Sequence, residues 1–396
     1  MRLWEKGEPL DERVLRYTAG EDHQLDARLV PYDVRASIAH AGMLHEVGLL
    51  AADDLAAIAD GLEALGAEHA EGRWRIELAN EDVHTALETR LTQRIGDAGA
   101  RLHLGRSRND QVLAALRLYL RDAVAALAAG AREVAAALDE LGKREAATAL
   151  PGYTHLQQAM PSSVPLWAGG FAAELRDDAE GIEACARRIE KNPLGSAAGY
   201  GVPLLPVDRE STRRRLGFAA VHEPVTAVQL SRGKAEAQVL FEIVLLTQDL
   251  GRLAADLVLF ASAEFGFVSL PPAMTTGSSI MPQKRNPDVF ELVRARAATA
   301  QGCLAEALAV PAKLTSGYHR DLQILKGPLF RGIDLAAETL AVMAPALAGV
   351  RFHPERIRLD PGLHAAEEAY RLVLDEGIPF REAYRRIGRR FRKEES

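Results

Sequence analysis

The sequence predicts an all-α fold, with an elongated central bundle of five long helices flanked by smaller helical N- and C-terminal regions. Three observations carry this reading. The 396 residues are 48% hydrophobic but only 6% aromatic, and they are rich in Ala, Leu, Arg and Glu, a balance that favours helix over sheet. Apolar residues recur at 3-4 spacing over long stretches. Alternation of apolar and polar residues, the mark of strands, is almost missing. The expected division is 1–105 as a helical N-terminal domain, 106–349 as the long-helix bundle and 350–396 as a short helical C-terminal domain.

Residues 1–105 alternate short helical patterns with polar breaks, as over 37–50 and 51–65. From 110 to 148 the pattern is long and regular: Leu113, Leu116, Leu120, Val124, Leu127, Ala131, Val134, Leu138 and Leu141 define one seam, as in a helix packed along others. At about 1.5 Å per residue such a helix would be roughly 55 to 60 Å long, so part of its surface is expected to meet other subunits. Asn109 or Asp110 is the expected cap. A second helix is expected over 163–191, with Ser162 or Ser163 capping it and Pro165 in its first turn. The segment 192–208 is rich in Gly and Pro and reads as irregular; its glycines make no dinucleotide fingerprint, since no strand precedes them. Helices over 231–264, 287–309 and 322–347 complete the five, the last with a kink expected at Pro328.

The formal charge of −7 leaves no basic footprint for nucleic acid. Apolar runs are broken by charge before membrane-span length, and the N-terminus has no signal-type stretch, so a soluble, cytoplasmic protein is expected. Cys185 and Cys303 fall within helical patterns, as buried free thiols do. No metal and no cofactor is expected; His40 and His45 lie five apart on a helix face without a ligand arrangement.

Three polar clusters interrupt the helical patterns: 105–111 (Gly-Arg-Ser-Arg-Asn-Asp-Gln), 152–157 (Gly-Tyr-Thr-His-Leu-Gln) and 275–288 (Thr-Thr-Gly-Ser-Ser-Ile-Met-Pro-Gln-Lys-Arg-Asn-Pro-Asp). In the last, Gly277 gives freedom while Pro282 and Pro287 remove it, so the stretch reads as a shaped loop offering hydroxyls, cations and an amide to an anion. Pro287 could begin the next helix and bring its positive end to the loop. The plainer readings are a polar connection here, helix capping at 105–111, a satisfied structural histidine at His155 and a core aromatic at Tyr318.

The loop resembles the signature of the fumarase, aspartase and argininosuccinate lyase superfamily. Clusters 105–111 and 152–157, with Tyr32-Asp-Val, Ser37-Ile-Ala-His40, Glu81-Asp-Val-His84, 263–267 and Tyr318-His-Arg-Asp-Leu-Gln323, narrow the resemblance to the argininosuccinate lyase family. It implies a homotetramer of long helices whose active sites are shared between subunits, acting on a small-molecule substrate by reversible release of fumarate. It implies Ser278 as general base, His155 as proton donor oriented by Glu291, and Lys284 with Asn286 holding the carboxylate where charge builds. Ser107, Asn109 and Thr154 would bind the fumarate-side carboxylates. Tyr318, Gln323 and Lys326, with His84, Arg108 and more loosely Arg232, would serve the arginine end.

Some positions depart from the family's usual pattern: Leu104 stands for Thr, Met160 for Gln, Gln158 for a common Arg, and both 194–208 and 229–234 take uncommon forms. The chain ends 12 residues after Tyr384, so part of the usual C-terminal domain is expected to be missing. The rival expectations are another fumarate-releasing lyase, such as one acting on adenylosuccinate, and a catalytically silent, crystallin-like structural protein.

Overall fold

The computed structural model describes residues 11–392. Residues 1–10, which include the N-terminal stretch without signal character, and 393–396 lie outside them. The elements used below are, in chain order, α1 (Glu12–Ala19), α2 (Val30–Glu46), α3 (Ala52–Ala70), α4 (Val83–Ile95), α5 (Arg108–Arg144), β1 (Ala149–Thr154), β2 (Gln157–Ser163), α6 (Val164–Ala184), α7 (Arg209–Leu216), α8 (Lys234–Phe260), β3 (Thr276–Gly277), β4 (Arg285–Asn286), α9 (Asp288–Ala309), α10 (Lys326–Gly349), α11 (Ala365–Glu376) and α12 (Phe380–Arg392). Among the described residues α5, α6, α8, α9 and α10 are the five long helices expected.

Each begins or ends where local chemistry dictates. The nine seam residues of α5 are all buried. Its cap is Ser107 rather than Asn109 or Asp110: Ser107 Oγ accepts from the Asn109 N–H at 3.3 Å, while Asp110 Oδ1 accepts from the Ser107 N–H at 3.0 Å, so cap and first turn bond each other in both directions. Ser163 caps α6, accepting from the Leu166 N–H at 3.2 Å. The start of α8 at Lys234 rather than 231 follows from Gly233, whose φ of 84° is left-handed. Pro328 falls in the first turn of α10, where its missing N–H costs little, and Pro345 is the proline inside that helix. The stretch Arg320–Gly349 is long and apolar enough to cross a membrane by composition alone, but 56% of its apolar window is buried, as in a core helix.

The chain divides into two compact units, and the division falls within the five long helices. The first comprises the described part of Met1–Ala128 with Glu180–Val244 and Thr299–Ala336. Small and large residues combine in one of its cores: Ala36 and Ala39 of α2 meet Ala114 and Leu118 of α5, with Leu194, Leu216 and Phe218 filling the remainder. The second comprises Ala129–Ala179, Leu245–Ala298 and Ala337–Ser396 as far as described. Its core is aromatic: Trp167 lies 5.7 Å from Phe171 and 6.0 Å from Phe352, and Phe260 lies 5.6 Å from Phe267. α11 and α12 pair over Ala369, Ala383 and Ile387.

The second unit also holds an element that the helical periodicity did not announce. β1 and β2 form an antiparallel hairpin in which Thr154 pairs with Gln157, leaving a two-residue turn of His155 and Leu156. Both turn residues are left-handed, at φ 53° and 58°. That is the backbone a tight hairpin needs, adopted here without glycine.

Candidate active site

In the first unit a cavity of about 120 Å³ is lined by His84, Arg108, Asn109, Arg232, Tyr318, Gln323 and Lys326, together with Asp22, Asp26, Asp82, Val112 and Arg320. Residues separated by up to 304 positions in the chain (22 to 326) are thus brought to one place by the segment before α2, the N-terminus of α4, the start of α5, the turn before α8 and the segment leading into α10.

Its floor is an ion-pair cluster. Lys326 Nζ, fully buried, donates to Asp22 Oδ2 at 2.8 Å and to Asp26 Oδ1 at 2.6 Å. Burial disfavours the ammonium, but the two carboxylates more than offset it and raise its pKa. Burial pushes Asp22 up to about 6, against the pull of Lys326. Beside them His84 Nδ1 meets Asp33 Oδ2 at 3.1 Å, and Asp33 also accepts from Gln111 Nε2 at 3.0 Å. Burial works against the imidazolium, yet Asp33, Asp82 and Asp26 together raise the His84 pKa. His84 Nε2 has no hydrogen-bond partner among the described residues.

The cationic side is less satisfied. Arg108 Nη2 lies 3.1 Å from Asp82 Oδ2. Arg232 is buried; its Nη2 donates to the Leu322 carbonyl at 3.4 Å, its Nε is 3.8 Å from Glu236 Oε1, and its Nη1 has no hydrogen-bond partner among the described residues. Such a guanidinium is a ready receptor for a carboxylate. Gln323 Nε2 donates to the Thr18 and Ala19 carbonyls at the end of α1, at 3.0 and 3.2 Å, which turns its amide by fixed contacts. Tyr318 is half-buried, and among the described residues its hydroxyl is unbonded, unlike a satisfied core tyrosine.

Asp22 and Asp26 carried no role in the sequence reading. Their i, i+4 spacing was the available signal, but at a short helix start it reads as a solvated face until Lys326 arrives from 300 positions away.

Ser107, at the start of α5, is also in the first unit but does not line this cavity; the remaining expected residues belong to the second unit. Pairing of Thr276 with Asn286 and of Gly277 with Arg285 in β3 and β4 closes the loop. Ser278 Oγ accepts from the backbone N–H of Ile280 at 3.3 Å and of Met281 at 3.2 Å, donors that would favour an alkoxide. Lys284 is exposed and pairs with no carboxylate among the described residues. Asn286 is half-buried; Pro287 stands just before α9 rather than inside it, and Glu291, exposed, lies in that helix's first turn. Thr154 and His155 are exposed at the hairpin tip. Among the described residues no hydrogen bond or ion pair joins His155 to Glu291 or to Ser278 within the chain.

Gln158 ties this hairpin down: its Nε2 donates to the Arg358 carbonyl and its Oε1 accepts from the Asp360 N–H, both at 2.9 Å. His40, by contrast, is a core residue, donating to the Leu104 carbonyl at 2.9 Å and pushed down to about 3 by burial, and His45 donates to the Leu50 carbonyl.

Known proteins resemble the chain in both sequence and fold. The sequence model of the lyase family matches residues 11–302. An argininosuccinate lyase of Sorangium cellulosum is 49% identical over 389 residues, covering 98% of this chain and 90% of that protein. An argininosuccinate lyase of Stenotrophomonas maltophilia is 43% identical over 386 residues, covering 97% and 89%. Among solved structures, EDDS lyase in complex with formate superposes with a TM-score of 0.80 at 24% identity, over 96% of this chain and 76% of that one. A class II fumarase from Schistosoma mansoni gives 0.78 at 16% identity, over 94% and 91%.

Proposed function

The chain belongs to the lyase family, within its argininosuccinate lyases, and from that premise we propose how its residues divide the work of reversible elimination of fumarate from argininosuccinate to give arginine. It is a carbon–nitrogen lyase.

The observation that carries the reading is the first-unit cavity, where charges of both signs converge in about 120 Å³. The arginine half of the substrate ends in an ammonium and a carboxylate. Asp22 and Asp26 outnumber Lys326 and suit the ammonium; Arg232 and Arg108 suit the carboxylate, with Tyr318 and Gln323 supplying neutral hydrogen bonds. A nucleotide half, as in adenylosuccinate, would bring a phosphate against Asp22, Asp26 and Asp82, which disfavour it.

At the succinyl half, Ser278 takes the proton from the carbon next to a carboxylate. Serine is a weak base alone, so its alkoxide depends on the Ile280 and Met281 amides, on Lys284 and on the positive end of α9. Lys284 and Asn286 hold the carboxylate that becomes dianionic, while Ser107, Asn109 and Thr154 bind the fumarate-side carboxylates. The carbon–nitrogen bond then breaks, and His155, aligned by Glu291, returns a proton to the leaving guanidino nitrogen. Retention of this set speaks against a silent structural protein.

A homotetramer with shared sites completes the reading. Phe241 and Leu245 of α8, Leu292 and Leu308 of α9 and Leu166 of α6 are exposed on long helices, where neighbouring subunits would cover them. The same assembly would bring His155 and Ser278 to a common cavity. A soluble, cytoplasmic setting fits a biosynthetic enzyme of this kind. The test is incubation of the purified protein with argininosuccinate and, separately, adenylosuccinate while fumarate absorbance is followed. Release from argininosuccinate alone is expected; release from adenylosuccinate alone would overturn the assignment.

A further inference from the structure

The first unit has a second cavity, of about 310 Å³, lined by Arg117, Arg188, Lys191, His222, Ser231 and Lys234 together with three apolar residues. No carboxylate lines it. Of the nearby acids, Glu190 Oε2 takes Arg121 Nη2 at 2.7 Å and Glu223 takes Arg209 at 2.7 Å, while the buried Glu236, 3.8 Å from Arg232, favours the Arg117 guanidinium from outside the lining and neutralises only part of the cationic charge. Among the described residues neither Lys191 nor Lys234 has an anionic partner, and Arg188 gives its Nε to the neutral Gln238 Oε1 at 2.7 Å.

Arg117 sits deepest. It is almost fully buried, its Nη2 donates to His222 Nδ1 at 3.0 Å and to Ser231 Oγ at 3.1 Å, and Nη1 contacts the Lys191 carbonyl. Its Nε has no hydrogen-bond partner among the described residues. Burial disfavours the guanidinium's charge and lowers its pKa to about 10, which leaves it cationic at neutral pH. His222, pushed down to about 4 by burial and by Arg117, Lys191 and Arg209, is neutral there. Because Nδ1 accepts from Arg117, the ring proton sits on Nε2, so the imidazole is held as a donor. Four cations, a neutral imidazole donor and a hydroxyl thus share one cavity with no anion among its walls, an arrangement whose self-repulsion an anionic occupant would relieve.

We propose that this cavity is a binding site for a small polyanion, a phosphoryl or polycarboxylate compound carrying two or more negative charges, separate from the substrate pocket. Its volume is that of roughly ten waters, enough for a pyrophosphate- or citrate-sized ion. Planar guanidinium groups suit bidentate contact with phosphate or carboxylate oxygens, and the lysines suit point contacts at the rim.

The experiment is calorimetric titration of the full-length enzyme with inorganic pyrophosphate and, separately, citrate. Saturable binding of one ion per chain by at least one probe is expected, with the stronger probe naming the class. Lys191→Glu with Lys234→Glu, both at the rim, should weaken binding about tenfold or more while fumarate release and melting temperature hold, and Lys191→Arg with Lys234→Arg should restore it. Lys234→Glu alone, on an exposed lysine, gives the same direction if the pair of changes disturbs folding. Saturating arginine should leave probe binding in place. The proposal falls if neither ion binds at millimolar concentration, if the charge-reversed variants bind as tightly as the native chain, or if arginine displaces the probe.

Discussion

In the pocket of the first unit, Lys326, His84 and Arg108 each touch a carboxylate that is itself buried, whereas in the second unit Ser278, Lys284, Glu291 and His155 touch no charged side chain among the described residues. The first region pairs these charges within one chain. Removing a member there strands a buried charge, so geometry and stability are the same property. The second relies on backbone: two amide donors hold Ser278, a left-handed turn presents His155, and the cations wait unpaired. The proposed sharing of sites between subunits would account for the contrast, with the groups assigned to recognition paired inside one chain and the groups assigned to chemistry left for assembly.

The largest effect should come from breaking the exposed side. Ser278→Ala is expected to lower kcat by about 10²- to 10⁴-fold while leaving melting temperature and arginine affinity close to native. Fumarate release near the native rate would mean that another base operates and that the loop is a connection only.

Next is the opposite manoeuvre in the pocket. Lys326→Ala leaves Asp22 and Asp26 without their shared cation, and a stability loss of about 3–5 kcal/mol is expected in urea unfolding. Loop variants should remain within about 0.5 kcal/mol. Equal losses in both regions would erase the distinction.

What the sequence disclosed follows the same line. The seam of α5 was legible because its nine apolar residues obey one period, and all are buried. The reactive loop was legible because Gly, Ser, Pro and Lys crowd a stretch that no periodic element wants. The Asp22–Asp26–Lys326 cluster was not, since its partners are local only after folding. The hairpin escaped for a different reason: Pro151 and Pro161, facing each other across it, read as breakers, and neither His155 nor Leu156 advertises a left-handed turn as glycine would. Ser107 was assigned to substrate, while the structure shows its hydroxyl capping α5, a folding role that would be shared with the proposed site role.

A smaller loss is expected from His155→Asn, about 10²-fold in kcat with KM little changed, since water can protonate a leaving nitrogen more readily than it can replace the base. Chains carrying Ser278→Ala, mixed and reassembled with chains carrying Arg108→Ala, should recover activity that neither parent has, because some sites would draw both native regions. No recovery under conditions where native chains exchange would show that each site is confined to one subunit.

The finest test lies in the pH dependence of Asp22. Its carboxyl is pushed up to about 6 in the folded chain from an ordinary 3.8, burial outweighing Lys326. Between about pH 4 and 6 the folded state therefore holds a proton that the unfolded state has released, so this group's contribution is fully present below the lower value and is lost as pH rises through the upper. A rise of that size corresponds to about 3 kcal/mol at most, and a measured loss of about 1–3 kcal/mol is expected across that window. Asp22→Asn carries no titrating proton and keeps Lys326 paired with Asp26, so urea unfolding of the variant should lose less stability than the native chain between the two pH values. Its arginine affinity at neutral pH should weaken, because the native carboxylate is charged there and faces the ammonium. Identical pH slopes in the two proteins would mean that Asp22 titrates as an open surface carboxylate. The pocket would then not be the closed, pre-paired half of the comparison.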